Sequence, residues 1–289
     1  MNPSLSIIVP AYNEAARLGK SLDTILEYLR ARGGGELIVV DDGSKDETAR
    51  VAEQALERAN GTVKTQFIGV HPNRGKGHAV RVGLLAASAP VALFTDADLS
   101  TPITETPKLV EPITRGEADL TFGSRALDRS LIGVHQPWRR EQGGKVFNLF
   151  VRVATRLPFW DTQCGFKAFR MSVCRPIIES ATIDRFGFDV ELIYVAHLAG
   201  LSLAEIPVRW NHYDGSKVSV TRDSWRMFNE LRLIRRNERL GQYQRAINAT
   251  REAVMRSREL DAGVDDDNDD NNAAASDASP ELADAARRI

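Results

Sequence analysis

Residues 91–102 read Val-Ala-Leu-Phe-Thr-Asp-Ala-Asp-Leu-Ser-Thr-Pro. The first five form a short, mostly apolar run of the kind that fits a strand buried on both faces. Asp96 and Asp98 follow at once, and Ser100, Thr101 and Pro102 then close the segment as turn residues. A strand ending this way delivers two carboxylates to one edge of its sheet. Hard divalent cations take oxygen ligands and keep phosphates in their shell, so the pair suits Mg²⁺ or Mn²⁺ bridging a diphosphate. A solvated turn produces the same Asp-X-Asp spacing, so the weight of the motif rests on its surroundings.

Working upstream, the apolar run Leu5–Val9 and the segments Glu36–Val40 and Val63–Val70 read as strands. Helical periodicity separates them at Ala15–Arg32, at Asp46–Ala59 with Asp46 as the N-cap, and at about Gly77–Ala87. The order β-α-β-α-β-α-β predicts an α/β fold with a mostly parallel, doubly wound sheet, whose ligands sit at the carboxyl ends of the strands. Downstream, helices are expected at Thr104–Arg115, Lys145–Thr155 and Val190–Ala199, and strands at Asp119–Gly123, Phe166–Arg170 and Leu203–Val208. Residues 1–222 thus read as one α/β domain. Residues 223–260 read as a basic amphipathic helical segment, with Trp225, Phe228, Leu231 and Ile234 spaced three apart among arginines. That stripe suits packing on the domain or lying on a membrane equally well.

Residues 261–289 carry nine acidic residues against two arginines and few large apolar ones, the composition of a disordered tail. Because the whole chain has a net charge of −1, residues 1–260 are basic by about six charges, which suits phosphate-bearing substrates or an anionic lipid surface. Cys164 and Cys174 are too few for a disulfide framework and are not spaced as metal ligands, which fits a reducing compartment. No stretch approaches the roughly 18 apolar residues of a membrane span, so a soluble or peripheral protein is expected, in the cytoplasm or on the cytoplasmic membrane face. Nucleic acid is not an expected partner, and oligomeric state is not legible.

The other strand ends add polar groups to the same sheet edge. Val9-Pro10-Ala11-Tyr12-Asn13-Glu14 ends the first strand, and Val40-Asp41-Asp42-Gly43-Ser44 ends the second. An aspartate there suits the N–H groups of a nucleobase, and Tyr12 suits packing against it. Arg74-Gly75-Lys76-Gly77 opens the third helix, where glycine allows close approach and the helix terminus favours an anion, although a solvated basic turn reads the same. Neither a Walker loop nor a Gly-x-Gly-x-x-Gly fingerprint is present.

Taken together, IIVPAYNE, VVDDGSKDET, NRGKGHAV, FTDADLST, FGSRA, DTQCGFK, FGFDVEL and DGSKVS, spread from Leu5 to Ser219, resemble glycosyltransferase family 2 of the GT-A fold. The likeness is strongest to the dolichyl- and polyprenyl-phosphate glucosyltransferases and mannose synthases. It implies inverting transfer from a nucleotide sugar, with Mg²⁺ or Mn²⁺ held by Asp96 and Asp98. It places Pro10, Tyr12, Glu14, Val40 and Asp42 around the base and ribose, Asp96, Ala97 and Asp98 on the diphosphate, and Lys217 on the donor phosphates, which the helix opening at Lys76 also suits. It assigns Arg125 and Arg140 to the acceptor phosphate. The wording DADLST and DTQCGFK resembles the glucosyl branch, favouring UDP-glucose over GDP-mannose.

Two positions depart from the family pattern: Ser100 stands where mannosyl relatives carry a glutamine on the metal, and Asn211 where an arginine clamps the donor. A phosphate acceptor is already anionic and needs positioning more than a base. A hydroxyl acceptor needs a carboxylate to take its proton, and Asp161 or Asp189 are the candidates. The alternatives are the same machinery acting on a soluble hydroxyl or saccharide, a non-catalytic nucleotide-sugar binding module, and, last, a nucleotidyltransferase. His78, His197 and His212 read as structural.

Overall fold

A computed structural model describes residues 2–59, 61–134, 138–212 and 220–259. The first half alternates as the apolar pattern dictates: β1 (Leu5–Ala11), α1 (Ala15–Ala31), β2 (Gly35–Asp41), α2 (Thr48–Glu57), β3 (Val63–Gly69), α3 (Lys76–Ala86) and β4 (Val91–Thr95). There follow α4 (Thr106–Thr114), β5 (Leu120–Ser124), β6 (Ile132–Val134), α5 (Trp138–Thr155), β7 (Phe166–Arg170), α6 (Met171–Ser180), α7 (Phe188–Ala199), β8 (Leu203–Pro207), β9 (Trp210–Asn211) and α8 (Val220–Arg239). A last helix, α9, spans residues 244–259.

Seven strands form one sheet in the order β3-β2-β1-β4-β7-β5-β8, and β6 pairs with β9 in a small second sheet. All neighbours in the large sheet are parallel except β7, which runs antiparallel to both β4 and β5. The mostly parallel, helix-flanked sheet expected from the sequence is therefore the one observed. The chain winds outward from β1 through β2 to β3 and then returns to lay β4 on the other side of β1, so the switch point lies between β1 and β4.

Strand residues alternate between two cores, as a period of two requires. Leu5, Ile7 and Val9 pack toward α1, α2 and α4, whereas Ile8 packs toward α3, α6 and α7. Helix α1 presents Leu18, Leu22, Ile25, Leu26 and Leu29 at helical spacing, all with no exposed surface. Each such side chain contributes about 2 kcal/mol by leaving water, so truncating Leu22 to alanine is expected to cost roughly 3 kcal/mol.

Three features differ from the sequence expectation, each for a local reason. Helix α6 was not anticipated, because Pro176 lies inside it and proline removes a helical hydrogen bond. Helix α5 begins at Trp138 rather than Lys145, running through Gly143 and Gly144, which read as breakers. The helical stretch expected from Asp223 begins at Val220 and breaks after Arg239, where Gly241 adopts a left-handed φ of 70° before α9 starts. Met227, Leu231 and Ile234 of α8 are buried, and Tyr243 (1% exposed) and Ile247 join the same core as α7. Thus this face of the basic segment packs on the α/β domain. Trp225's side chain and the acidic stretch 261–289 lie outside what the structure describes.

Candidate functional site

The sheet order brings the ends of β2, β1 and β4 to one edge, and antiparallel β7 adds the loop that precedes it. The register Thr95↔Phe166 sets residues 161–165 beside the end of β4. Pro10 pairs with Val40 and Ala11 with Asp41, so the two segments expected to flank the nucleotide lie shoulder to shoulder. Val40's own side chain is buried in the core with Ile8 and Leu84, forming the floor beneath that edge.

The β1 and β2 loops are knitted by side chains. Asn13, at a left-handed φ of 53°, accepts from the Lys45 N–H at 2.7 Å through Oδ1 and donates its own N–H to Ser44 Oγ at 2.8 Å. Glu14's N–H donates to Thr48 Oγ1 at 2.7 Å. Asp46 Oδ1 in turn accepts from Thr48 N at 3.0 Å, although the N-cap of α2 is Glu47 and not Asp46 as expected, because the helix starts one residue later. Tyr12 is half-buried on this edge.

Asp42 is 2% exposed and already engaged. Its Oδ1 accepts from Arg74 N at 3.0 Å, and its Oδ2 accepts from Gly75 N and Asn73 Nδ2, both at 2.7 Å. The carboxylate thus fixes the 73–75 turn that leads into α3. Burial pushes its pKa up, against the pull of these backbone donors. Gly75 sits at φ 127° against the backbone oxygen of Asp184, and a Cβ on Gly77 would lie 2.6 Å from Ile183 O, so only glycine lets α3 start this close to the 183–185 loop. Arg74 turns away from the edge and pairs with Asp184 at 2.8 Å.

Asp96 and Asp98 occupy the switch point, their side chains 35% and 19% exposed. Lys76 Nζ lies 2.5 Å from Asp96 Oδ1. The Lys76 pKa is raised: burial works against its charge, but Asp96 and Asp189 outweigh that. Asp98 Oδ1 accepts from Ser100 N at 3.0 Å, and its Oδ2 lies 3.6 Å from Arg17 Nη1. Arg17 also holds Glu14 through a two-point ion pair, so one guanidinium ties the β1 loop to the β4 carboxylates. Ala97 between them is 7% exposed. Among the described residues, no three His, Cys, Asp or Glu side chains cluster as a closed metal cage. Asp96 and Asp98 thus place two carboxylates side by side on an open edge, an arrangement that suits a cation shared with a phosphate-bearing ligand.

On the other flank, Arg125 follows β5 and closes on Asp161. Its Nε and backbone N donate to Asp161 Oδ2 at 2.7 and 3.0 Å, and its Nη2 donates to Oδ1 at 2.9 Å. Arg125 also lies over the Trp210 ring, 5.6 Å from its centroid. Burial raises the Asp161 carboxyl, yet the Arg125 charge brings its pKa below the ordinary range. Deeper still, fully buried Lys167 donates to Cys164 O at 2.6 Å and sits 2.6 Å from Asp189 Oδ1, an ion pair off the axis of a hydrogen bond. Burial raises the Asp189 pKa in spite of this lysine. Both carboxylates that the sequence offered as bases are thus held by cations.

Sequence reasoning missed Arg17, Lys167 and Gly165. Arg17 and Lys167 sit within an ordinary helix and strand pattern, where nothing marks a charged side chain as inward-facing. Gly165 gave a signal as the glycine of DTQCGFK. Arg140's backbone lies in α5 and its side chain falls outside the described residues, as does all of Lys217.

The chain matches the glycosyl transferase family 2 profile over residues 6–178. The dolichyl-phosphate beta-glucosyltransferase of Drosophila melanogaster is 38% identical to it over 230 residues, 74% of this chain and 69% of that protein. The enzyme of the same name from Homo sapiens is 35% identical over 74% of this chain and 69% of that protein. The Saccharomyces cerevisiae one is 31% identical over 83% and 76%. Among solved structures, glucosyl-3-phosphoglycerate synthase of Mycobacterium tuberculosis superposes with a TM-score of 0.58 at 21% identity, covering 80% of each chain. The same synthase in complex with Mn²⁺, uridine diphosphate and glucosyl-3-phosphoglycerate gives 0.57 at 18% identity over 80% of each chain, a likeness of GT-A fold alone. Profile, relatives and fold agree that the chain belongs to glycosyl transferase family 2.

Proposed function

We propose that this glycosyltransferase moves glucose from UDP-glucose, with inversion, to the phosphate of a polyprenyl or dolichyl monophosphate at the cytoplasmic surface of a membrane. The relatives named dolichyl-phosphate beta-glucosyltransferase support that acceptor. The observation that carries the reading is the state of the two buried carboxylates. Asp161 is bound at both oxygens by Arg125, and Asp189 is buried against Lys167, so neither stands open to solvent as a base for a hydroxyl. An acceptor that arrives as an anion needs no such base.

Asp96 and Asp98 fit a divalent cation: they are hard oxygen donors at the switch point, and the Lys76 ammonium already lies against Asp96. Mg²⁺ or Mn²⁺ held there would offset the charge of the donor diphosphate as it leaves. The chain's own residues supply the remainder. The β1 and β2 loops with Tyr12 and Glu14 form the base and ribose side, over the floor of Pro10 and Val40. Arg125, whose Nη1 makes no hydrogen bond among the described residues, orients the acceptor phosphate toward the anomeric carbon.

A phosphate oxygen forms the new bond to that carbon while the bond to the UDP oxygen breaks on the opposite face. The electron pair leaves with UDP, and Lys76 meets the charge that develops. No proton is transferred. The fold is shared with a synthase whose name specifies a soluble phosphoglycerate acceptor, so a hydroxyl acceptor is the competing reading.

The test is transfer of labelled glucose to polyprenyl phosphate with Arg125→Ala as the comparison. Label in the lipid phase that falls by at least a hundredfold in the variant is expected. Label only in hydroxyl products would overturn the proposal.

A further inference from the structure

The outer face of α5 and α8 combines two features that rarely adjoin on a soluble surface. Leu149, Phe150 and Val153 of α5 are 60%, 47% and 72% exposed, and Leu233 of α8 is 41% exposed. Scattered apolar residues need no explanation, but four on adjoining helices make a patch, and patches of that kind mark contact surfaces. Between the helices runs an open groove of about 790 Å³, floored where Phe150 meets Phe228 edge-on with ring centroids 5.1 Å apart. Its rim is cationic, with Arg156, Arg232, Arg235, Arg236 and Arg239 lining it. Among the described residues, Arg235 alone of these five is paired with a carboxylate, Glu238 at 2.9 Å.

Helix α8 cannot supply the apolar half of a membrane-facing side through Leu231 and Ile234, because the core holds them. The exposed apolar residues come instead mainly from α5, so the amphipathic surface is composite. It also leads somewhere. Arg152 of α5 stacks over Trp160 at 3.8 Å, Trp160 is 54% exposed, and the next residue, Asp161, holds Arg125. Arg152 and Trp160 thus link this face to the segment that holds the arginine assigned to the acceptor phosphate.

We propose that the α5–α8 face docks on an anionic phospholipid bilayer. Guanidinium groups bind headgroup phosphates, whose forked geometry they match. Leu149, Val153 and Trp160 enter the boundary between headgroups and acyl chains, where an aromatic ring with a polar edge is favoured. This deepens the lipid-acceptor reading by fixing which side of the enzyme meets the membrane, namely the side that carries Trp160, the chain neighbour of Asp161.

The test is co-sedimentation of the full chain with vesicles of phosphatidylcholine alone and of phosphatidylcholine mixed with phosphatidylglycerol. Binding confined to the anionic vesicles and weakened by salt is expected. The triple variant Arg232→Ala, Arg236→Ala, Arg239→Ala should bind on the order of a hundredfold more weakly, since each arginine at such a surface contributes several-fold. Leu149→Ser with Val153→Ser should bind about tenfold more weakly or less tightly still, at unchanged charge. These positions are exposed, so both variants should melt with the wild type. Equal binding to neutral vesicles, no binding, or wild-type binding by either variant would overturn the proposal. Transfer to a short, water-soluble isoprenyl phosphate, run in parallel, separates the two ideas: both variants keep it if the acceptor reading holds, and its absence in the wild type counts against that reading and not against docking.

Discussion

Gly165 makes room for the carboxylate of Asp96, and replacing it with alanine tests the site without touching a charged group. A Cβ built on Gly165 would meet Asp96 Oδ1 at 2.5 Å, with Cγ and Oδ2 closer still. Ordinary contact begins near 3.4 Å, so the carboxylate must retreat by about 1 Å. Gly165 does not occupy the left-handed region, so alanine adds no backbone strain. Asp96 is 35% exposed and has solvent to move into, which predicts a loss of stability under about 1 kcal/mol. A misplacement of that size in a group holding the reacting ligands costs roughly a hundredfold in rate. The assay is glucose transfer from UDP-glucose across a Mn²⁺ titration, with thermal melting as the control. Gly165→Ala should melt within a few degrees of the wild type, require more Mn²⁺, and transfer about a hundredfold more slowly. A variant that keeps activity within threefold at the same Mn²⁺ concentration would refute the placement of Asp96 in the working site.

Asp161→Asn should destabilise the protein by roughly 2 kcal/mol at neutral pH, because it removes the buried, charged partner of half-buried Arg125. The folded Asp161 pKa is depressed, so its contribution is complete above the unfolded value near 3.9 and fades as pH falls through the lower folded value. Urea melts should therefore show the gap between wild type and Asp161→Asn closing below about pH 4, and a gap that stays constant would contradict this. Lys76→Gln should tighten Mn²⁺ binding several-fold in the absence of nucleotide, by removing a competing cation from Asp96, while slowing transfer; fluorescence quenching by Mn²⁺ reads the first effect. Tyr243→Phe removes the hydroxyl that donates to buried Glu191 at 2.7 Å and should lower stability by about 1.5 kcal/mol with no change in UDP affinity, as calorimetry of both properties will show.

Most of the sheet was legible because β1, β2 and β4 are buried on both faces and their sequences are correspondingly continuous in apolar residues. Their ends were legible for the same reason, since the first polar residues after each run, Tyr12, Asp41 and Asp96, fall at the edge. The antiparallel course of β7 was not. Phe166–Arg170 reads as a strand in either direction, and only the packing of residues 156–165 against β5 and β8 through Glu205 and Asp161 fixes its sense. That reversal brings Asp161, Cys164 and Gly165 to the site.

Charged residues that face inward were equally hidden. Lys167 alternates with Phe166 and Ala168 as any solvent-facing residue of an edge strand would, yet it has no exposed surface and lies 5.4 Å from the centroid of the Phe94 ring. Asp42 was legible as a member of the edge, but its use in shaping the 73–75 turn depends on contacts across 31 to 33 residues of chain. The basic segment's two faces separate in the same way: spacing defined an apolar stripe, and tertiary packing decided that Leu231 and Ile234 belong to the core.

The central claim is that Asp96 and Asp98 at the switch point hold a divalent cation together with the donor's diphosphate. Anomalous diffraction at the manganese edge, from crystals grown with Mn²⁺ and UDP, addresses it directly. The account predicts one anomalous peak within coordination distance of Asp98 and of both UDP phosphates, absent in Asp98→Ala. A manganese peak elsewhere, or UDP bound with its phosphates away from this edge, would contradict it.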